Sequence, residues 1–293
     1  MPAVSIVLRA RNEAAALPEV FAALAGQTLA GTEVILVDHA STDGTAGLAR
    51  ACGARVLSLP AESFSYGGAL NAGFAAAASP IGVALSAHAT PASADWLAEL
   101  VAPLADPAVA AACGPEWPRP GADAVVRRGL RRRYDGLDRH DLTPHGRLTF
   151  GNANAALRLD VWRAFPFDEQ LPYAEDLAWS WRVMASGRRI VFTPAAPVLH
   201  SHHDTPQDAW RRAYAEGRAA RRLGHPQRHH RTAGMCLTLA AGAALDAATL
   251  IAARAGRAEW RRALRCRWAR AVGGWRGWRA RPAGAADSGG AAE

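Results

Sequence analysis

Residues 34–45 read Val34-Ile35-Leu36-Val37-Asp38-His39-Ala40-Ser41-Thr42-Asp43-Gly44-Thr45. Four consecutive apolar residues, three of them β-branched, make a short buried strand. The run stops at Asp38, and Ser41-Thr42-Asp43-Gly44 is turn and cap chemistry leading into a helix that carries Leu48. The same alternation extends to both sides. Val4 to Leu8 reads as a strand, and Glu13 to Leu24 as a helix with Leu17, Val20, Phe21 and Leu24 on one face. Ala54 to Leu57, Gly68 to Ala77 and Ile81 to Leu85 continue as strand, helix and strand. This βαβαβ order predicts an α/β fold with a doubly wound, mostly parallel sheet and right-handed crossovers. Ligands of such sheets bind beyond the carboxyl ends of the strands. Arg9 to Glu13, Asp38 to Gly44 and Ser86 to Pro91 are therefore the segments to watch.

Further along, the pattern breaks. Pro115, Pro118, Pro120 and Gly121 open a basic stretch, 114–146, that contains Arg131-Arg132-Arg133 and reads as an irregular loop or arm. Order returns at Thr149 to Asn154. A helix is expected around Glu175 to Ser186, a strand at Arg189 to Phe192 and a short segment at Val198 to His200. Trp96, Trp179 and Trp181 read as core. Beyond Pro206 the sequence becomes helical and Arg-rich, with a Gly/Ala-rich end after Pro282 that reads as frayed. Within it, Ala233 to Ala255 has the length of a membrane span but is mostly Ala and Gly, with Asp246 near its middle. A central Asp costs about 2.5–3.5 kcal/mol on an insertion scale where each Leu returns only about 0.3–0.6. A packed or in-plane helix is the expectation.

The chain of 293 residues is 50% apolar and 20% charged, an ordinary globular balance. Its net charge of +8 comes entirely from arginine, since there is no lysine. Arginine favours planar, bidentate contacts with phosphates. The excess gathers after about residue 205, where it suits nucleic acid, anionic lipid, a phosphorylated substrate or simply a solvated helix face. Cys52, Cys113, Cys236 and Cys266 lie far apart with no CxxC pair, which points away from a zinc site or disulfide framework and towards a reducing compartment. The strand-like run begins too early to leave room for a signal peptide, so export is not expected.

Taken together, Val4-Ser5-Ile6-Val7, Arg11-Asn12-Glu13 and Val37-Asp38-His39-Ala40-Ser41-Thr42-Asp43-Gly44-Thr45 resemble the opening of family 2 glycosyltransferases. The likeness continues through Phe64-Ser65-Tyr66-Gly67-Gly68-Ala69-Leu70-Asn71-Ala72-Gly73, Tyr173-Ala174-Glu175-Asp176 and Leu199-His200, and covers residues 1 to about 205. Phe64 to Gly67 with Ser86-Ala87-His88-Ala89-Thr90-Pro91 is similar to a bacterial rhamnosyltransferase-like branch. The resemblance implies a GT-A fold, with a nucleotide-binding part over about 1–113, an acceptor-side part over about 114–205, and a basic helical extension over 206–293. It implies an enzyme that moves a sugar, with inversion, from a nucleoside diphosphate donor such as dTDP-rhamnose or a UDP-sugar. The acceptor would be a hydroxyl on a lipid-linked or cell-surface glycan precursor.

The same resemblance assigns residues. Asp38 would accept a hydrogen bond from the base, and Asp43 would shape its loop. Ala10, Arg11, Glu13, Gly67, Asn71, Ser86 and Ala87 would line the donor. Asp176 would be the catalytic base, with Glu175 orienting it or the acceptor. One departure stands out. The family's metal-holding Asp-x-Asp pair is here Ser86 and His88. Polypeptide N-acetylgalactosaminyltransferases use Asp-x-His with a distant His, and His88 with His200 copies part of that set. A divalent cation, Mn²⁺ or Mg²⁺, is implied on that basis; loss of the pair equally fits a site where arginines and backbone N–H groups carry the diphosphate, or a non-catalytic module that only binds. The expected partners are a nucleotide-sugar donor, a glycan or lipid-linked acceptor and an anionic membrane surface, with no nucleic acid. The expected place is the cytoplasm, peripheral on the inner face of the cell membrane.

Overall fold

A computed structural model describes residues 3–63, 65–144, 148–171, 173–224 and 232–280. Phe64 and the segment after Pro282 lie outside the described residues. The chain divides into two units, Met1–His203 and Asp204–Glu293.

Alternation along β1 (Val4–Ala10) sets up two cores. Val4, Ile6 and Leu8 face a cluster with Leu17, Val20, Trp96 and Leu97. Val7 faces the other side, with Ile35, Val37, Leu70, Phe74 and Trp179. Trp96 and Trp179 are fully buried, as core tryptophans. The first half runs β1, α1 (Leu17–Ala25), β2 (Thr32–His39), α2 (Thr45–Ala51), β3 (Arg55–Leu59), α3 (Tyr66–Ala75), β4 (Ile81–Ser86). The helix expected from Glu13 starts only at Leu17, with Pro18 in its first turn. The backbone N–H groups of Asn12, Glu13 and Ala14 are instead bound to Ser41, Thr45 and Asp43.

After β5 (Thr90–Pro91), α4 (Trp96–Val101), β6 (Val109–Cys113) and β7 (Glu116–Trp117) comes α5 (Ala124–Tyr134). This helix corrects the reading of 114–146 as irregular. Its basic sequence buries only Ala124, so it offers no apolar stripe to read. The remaining elements of the first unit are β8 (His140–Asp141), β9 (Asn154–Arg158), α6 (Leu159–Ala164), α7 (Glu175–Ala185), β10 (Arg189–Phe192) and β11 (Val198–Leu199).

The main sheet has the order β3-β2-β1-β4-β9-β6-β10-β8. Its first four strands are parallel, and β9 enters antiparallel between β4 and β6. The chain moves outward from β1 in both directions, so β1 marks the switch point where such sheets bind ligands. Register fixes what meets there: Ala10 lies beside Asp38, and Arg9 beside Ser86.

A second sheet of three short strands, β5-β11-β7, gathers segments far apart in sequence. Buried Asn154 supports it, donating to the carbonyls of Pro115 and Ala196 and accepting from Trp96 Nε1.

The second unit contains α8 (Pro206–Arg222), α9 (Thr232–Ala252) and α10 (Arg257–Arg279). Thr205 and Asp208 form a reciprocal capping box at the start of α8. Glycines bring α8 and α10 into backbone contact: a Cβ on Gly273 would stand 2.7 Å from the Trp210 carbonyl oxygen. Among the described residues, α9 is the helix long and apolar enough to cross a membrane.

Candidate active site

The carboxyl ends of β1 and β2 are stitched to each other. Asn12 accepts from the Thr42 N–H at 2.8 Å, and its own N–H reaches Ser41 Oγ at 2.9 Å. Asp43 holds both loops: Oδ1 takes the Thr45 N–H and Oδ2 takes the Ala14 N–H, each at 3.0 Å. These contacts, Thr45 foremost, lower the Asp43 pKa. Asn12 and Ala40 have φ of 57° and 49°, and Ala174 has 61°. Left-handed backbone at a non-glycine residue costs about 1–3 kcal/mol and clusters where a site is over-determined by its surroundings. All three stand next to segments that the sequence singled out. Asp38 is buried, and its Oδ1 has no hydrogen-bond partner among the described residues. A buried carboxylate oxygen left in this state is costly unless a ligand or water donates to it. Arg11 is exposed beside this edge, while Ala10 and Ala87 are buried.

Glu175 and Asp176 open α7, where the helix N-terminus favours negative charge. Their environments differ. Glu175 is buried, with Oε1 held by Arg9 Nη1 at 3.4 Å and by Asn152 Nδ2 at 3.2 Å. Asp176 is partly buried and accepts the backbone N–H of Leu177 at 2.8 Å and of Asn152 at 3.3 Å. Burial, then the charge of Glu175, push the Asp176 pKa up to about 7, against the pull of those N–H groups and of Arg9. One carboxylate is thus locked and the other poised near neutrality, a division of roles suited to proton transfer. Arg9 also stacks on Tyr66, its guanidinium 5.1 Å from the ring centroid.

The three-stranded sheet builds a second constellation. His88 precedes β5, His200 follows β11, and Glu116 lies in β7. The two histidines face each other with Nε2 atoms 3.0 Å apart, and each Nδ1 is backed by a carboxylate: Glu13 at 2.9 Å for His88, Glu116 at 2.5 Å for His200. Burial acts to raise the Glu116 pKa. The His200 hydrogen bond and charge, with help from Arg133 and Tyr134, outweigh it and hold Glu116 at about 2. His202 joins the pair, and one ligand atom from each of the three rings lies within 4.8 Å of the others. Arg119 braces this loop by donating to the carbonyls of His88 and Leu199 and to Thr90 Oγ1. Ser86 Oγ sits 3.4 Å from the His88 ring nitrogens.

The sequence pairs His88 with His200, reads His202 as exposed loop, marks Arg9 only as part of the segment ending β1, and gives no role to Glu116 or Asn152. Glu116 is 84 residues from His200, and only the small sheet joins them. The Thr149–Asn154 segment was visible as ordered, which was the available signal for Asn152. Three of the residues expected to line the donor also have neighbours within the chain. Asn71 donates to the Phe167 carbonyl and Glu169 and accepts from Trp162 Nε1 and the Phe167 N–H, so it ties α3 to the 167–169 segment. Gly67 is packed there too, since a Cβ on it would come within 2.9 Å of the Asp168 carbonyl oxygen. Glu13 faces His88.

Comparison with known proteins agrees with this architecture. The model of glycosyl transferase family 2 matches residues 5–162, more than half of the chain, and the protein belongs to that family of glycosyltransferases. Among curated relatives it is similar to the O-antigen chain rhamnosyltransferase WbaN of Salmonella anatum, 29% identical over 74% of this chain and 72% of the relative. The rhamnosyltransferase RfbN of Salmonella typhimurium is 25% identical over 73% and 71%. Among solved structures, the mannosyltransferase PcManGT from Pyrobaculum calidifontis, in complex with GDP-Man and Mn²⁺, aligns with a TM-score of 0.64 at 21% identity. It covers 93% of this chain and 87% of that one, and shows the shared GT-A fold.

Proposed function

We propose that the chain transfers a deoxyhexose, with inversion, from a nucleoside diphosphate donor to a hydroxyl of a growing glycan. The observation that carries this reading is Asp176, a partly buried carboxylate with its pKa raised to about 7 beside a locked Glu175. In the transfer, the acceptor oxygen bonds to the anomeric carbon as its proton passes to Asp176. The bond from that carbon to the diphosphate breaks, and the nucleoside diphosphate leaves with the electron pair. Inversion follows from attack on the face opposite the leaving group. Rhamnose is the favoured sugar because two of the curated relatives are O-antigen chain rhamnosyltransferases. The acceptor is read as a lipid-linked precursor at the inner face of the cell membrane, with the Arg-rich second unit against an anionic surface. A donor screen with purified chain tests the reading: turnover of dTDP-rhamnose onto a lipid-linked glycan is expected, and no turnover of any nucleotide sugar would overturn it.

A divalent cation fits the three histidines. One ring nitrogen of each lies within 4.8 Å of the others, and the Nε2 atoms of His88 and His200 stand 3.0 Å apart. Carboxylates behind both Nδ1 atoms orient the free lone pairs inward, the usual support of ligating imidazoles. His88, His200 and His202 would hold the ion, and its charge would offset that of the departing diphosphate. Imidazole donors favour Mn²⁺ over Mg²⁺.

Asp38 is assigned to the base of the donor through its unpaired Oδ1. Asp38→Ala should weaken nucleotide binding by about 10-fold, the scale of one charge-assisted hydrogen bond, with the rate at saturation little changed. Unchanged affinity in titration calorimetry would make Asp38 purely structural.

A further inference from the structure

In the second unit, α9 exposes an apolar stripe that a water-soluble helix would not. Leu237, Ala241, Ala244, Leu245, Ala248 and Ile251 recur at helical spacing, and all are exposed, Leu237 at 72% and Ile251 at 68%. By length and composition the 21 residues can also cross a bilayer, being about 31 Å long. The opposite face decides between the two. Asp246, the only charged side chain in α9, is fully buried, and both its oxygens are taken by Arg267 of α10, through Nε and, at 2.8 Å, through Nη2. Gly242, one turn earlier, leaves the room that the Arg267 guanidinium occupies. α9 is therefore tied, through Asp246 and the space at Gly242, to a helix that carries eight arginines from Arg257 to Arg279. If α9 crossed the hydrocarbon, those arginines would be dragged in with it or Asp246 would be left there unpaired, and both are strongly unfavourable.

We propose that α9 lies in the plane of an anionic membrane, its Leu237–Ile251 face in the apolar boundary and α10 supplying arginines to the lipid headgroups. The partner is a bilayer because the exposed stripe is long, smooth and uncharged, whereas the helix bound behind it is strongly basic. Trp268 of α10, 58% exposed, and its neighbour one turn away, Leu264, add the amphipathic and apolar side chains that settle at headgroup depth. The inference rests on the membrane part of the functional reading and not on which sugar is moved.

The test uses the full chain with vesicles of phosphatidylcholine alone or with one third phosphatidylglycerol. Binding is expected to the anionic vesicles and to weaken with salt. Leu237→Glu with Ile251→Glu should weaken it at least tenfold, with the circular dichroism spectrum and nucleotide binding retained. Depth then separates the two orientations. In a Cys52→Ser background, with Cys236→Ser added for the two introduced cysteines, fluorophores on Cys236, on Ala244→Cys and on Ile251→Cys should all be quenched best by lipids brominated at the same shallow position. Deep quenching confined to the central label would mean that α9 crosses the bilayer and would overturn the proposal. So would equal binding by the double glutamate variant, or a lipid-free dimer that the variant dissolves. Transfer to a water-soluble acceptor, measured alongside, keeps failure of the surface distinct from failure of the enzyme.

Discussion

Asp176→Asn should lower the rate of transfer by about 10²–10⁴-fold and leave the affinity for the donor nearly unchanged. That range is the usual contribution of a positioned general base, and a base acts in the transition state more than in the bound ground state. Asn keeps the shape of the side chain and, through its one oxygen, the hydrogen bond from Leu177, although its amide nitrogen cannot accept the longer one from Asn152. It cannot take a proton. The base must be ionised to act, so wild-type kcat/KM should rise with pH through about 7 and then level off. Arg9 acts to lower the Asp176 pKa, although burial and Glu175 dominate. Arg9→Met should therefore displace the rising limb to higher pH, an effect that a merely structural role would not produce. Retention of more than half the wild-type rate in Asp176→Asn would remove the assignment. A pH profile flat between 5.5 and 8.5 would do the same.

How much of this was legible before the structure depended on the range over which each signal acts. Local signals read well. Alternating apolar runs and the Ser-Thr-Asp-Gly turn place β1 to β4 in order, and with them Asp38 and Asp43 at the ligand edge. Glu175 and Asp176 begin a helix as expected, because acidic residues suit its first turn. Signals that depend on packing did not read. β9, antiparallel in the middle of the sheet, has Ala155 and Ala156 where a strand would normally announce itself with branched residues. α5 hides behind its arginines. Asn71 has the same position in sequence whether it faces a donor or Trp162, and only the fold brings the 167–169 segment to it. Similarly, Glu116 is an ordinary surface-type residue until β7 pairs with β11 and sets it behind His200. Residue type and family position single out the candidate reactive groups. The groups that orient them come from other strands and belong to tertiary structure.

The metal prediction follows from one of those orienting groups. Chelation of the purified protein should abolish most of its transfer activity, and Mn²⁺ should restore it more fully than Mg²⁺, since the harder ion prefers oxygen donors and the cluster offers nitrogen. His88→Ala should prevent recovery. Glu116→Gln is the sharper variant because Glu116 is not itself one of the three ligands. It accepts from His200 on one oxygen and from Tyr134 on the other, at 2.9 Å. An amide there can turn its donor face to Nδ1, which frees His200 to present the wrong tautomer, and loss of such a partner typically costs 10–100-fold in metal affinity. Electron paramagnetic resonance of Mn²⁺ reads that loss directly, without any turnover. Activity at saturating Mn²⁺ should then return in Glu116→Gln but not in His88→Ala. Full activity in the stripped protein would show that arginines and backbone N–H groups carry the diphosphate alone. The three imidazoles would then be a hydrogen-bonded brace between β5 and β11, and Glu116→Gln should lower the melting temperature rather than the affinity for an ion.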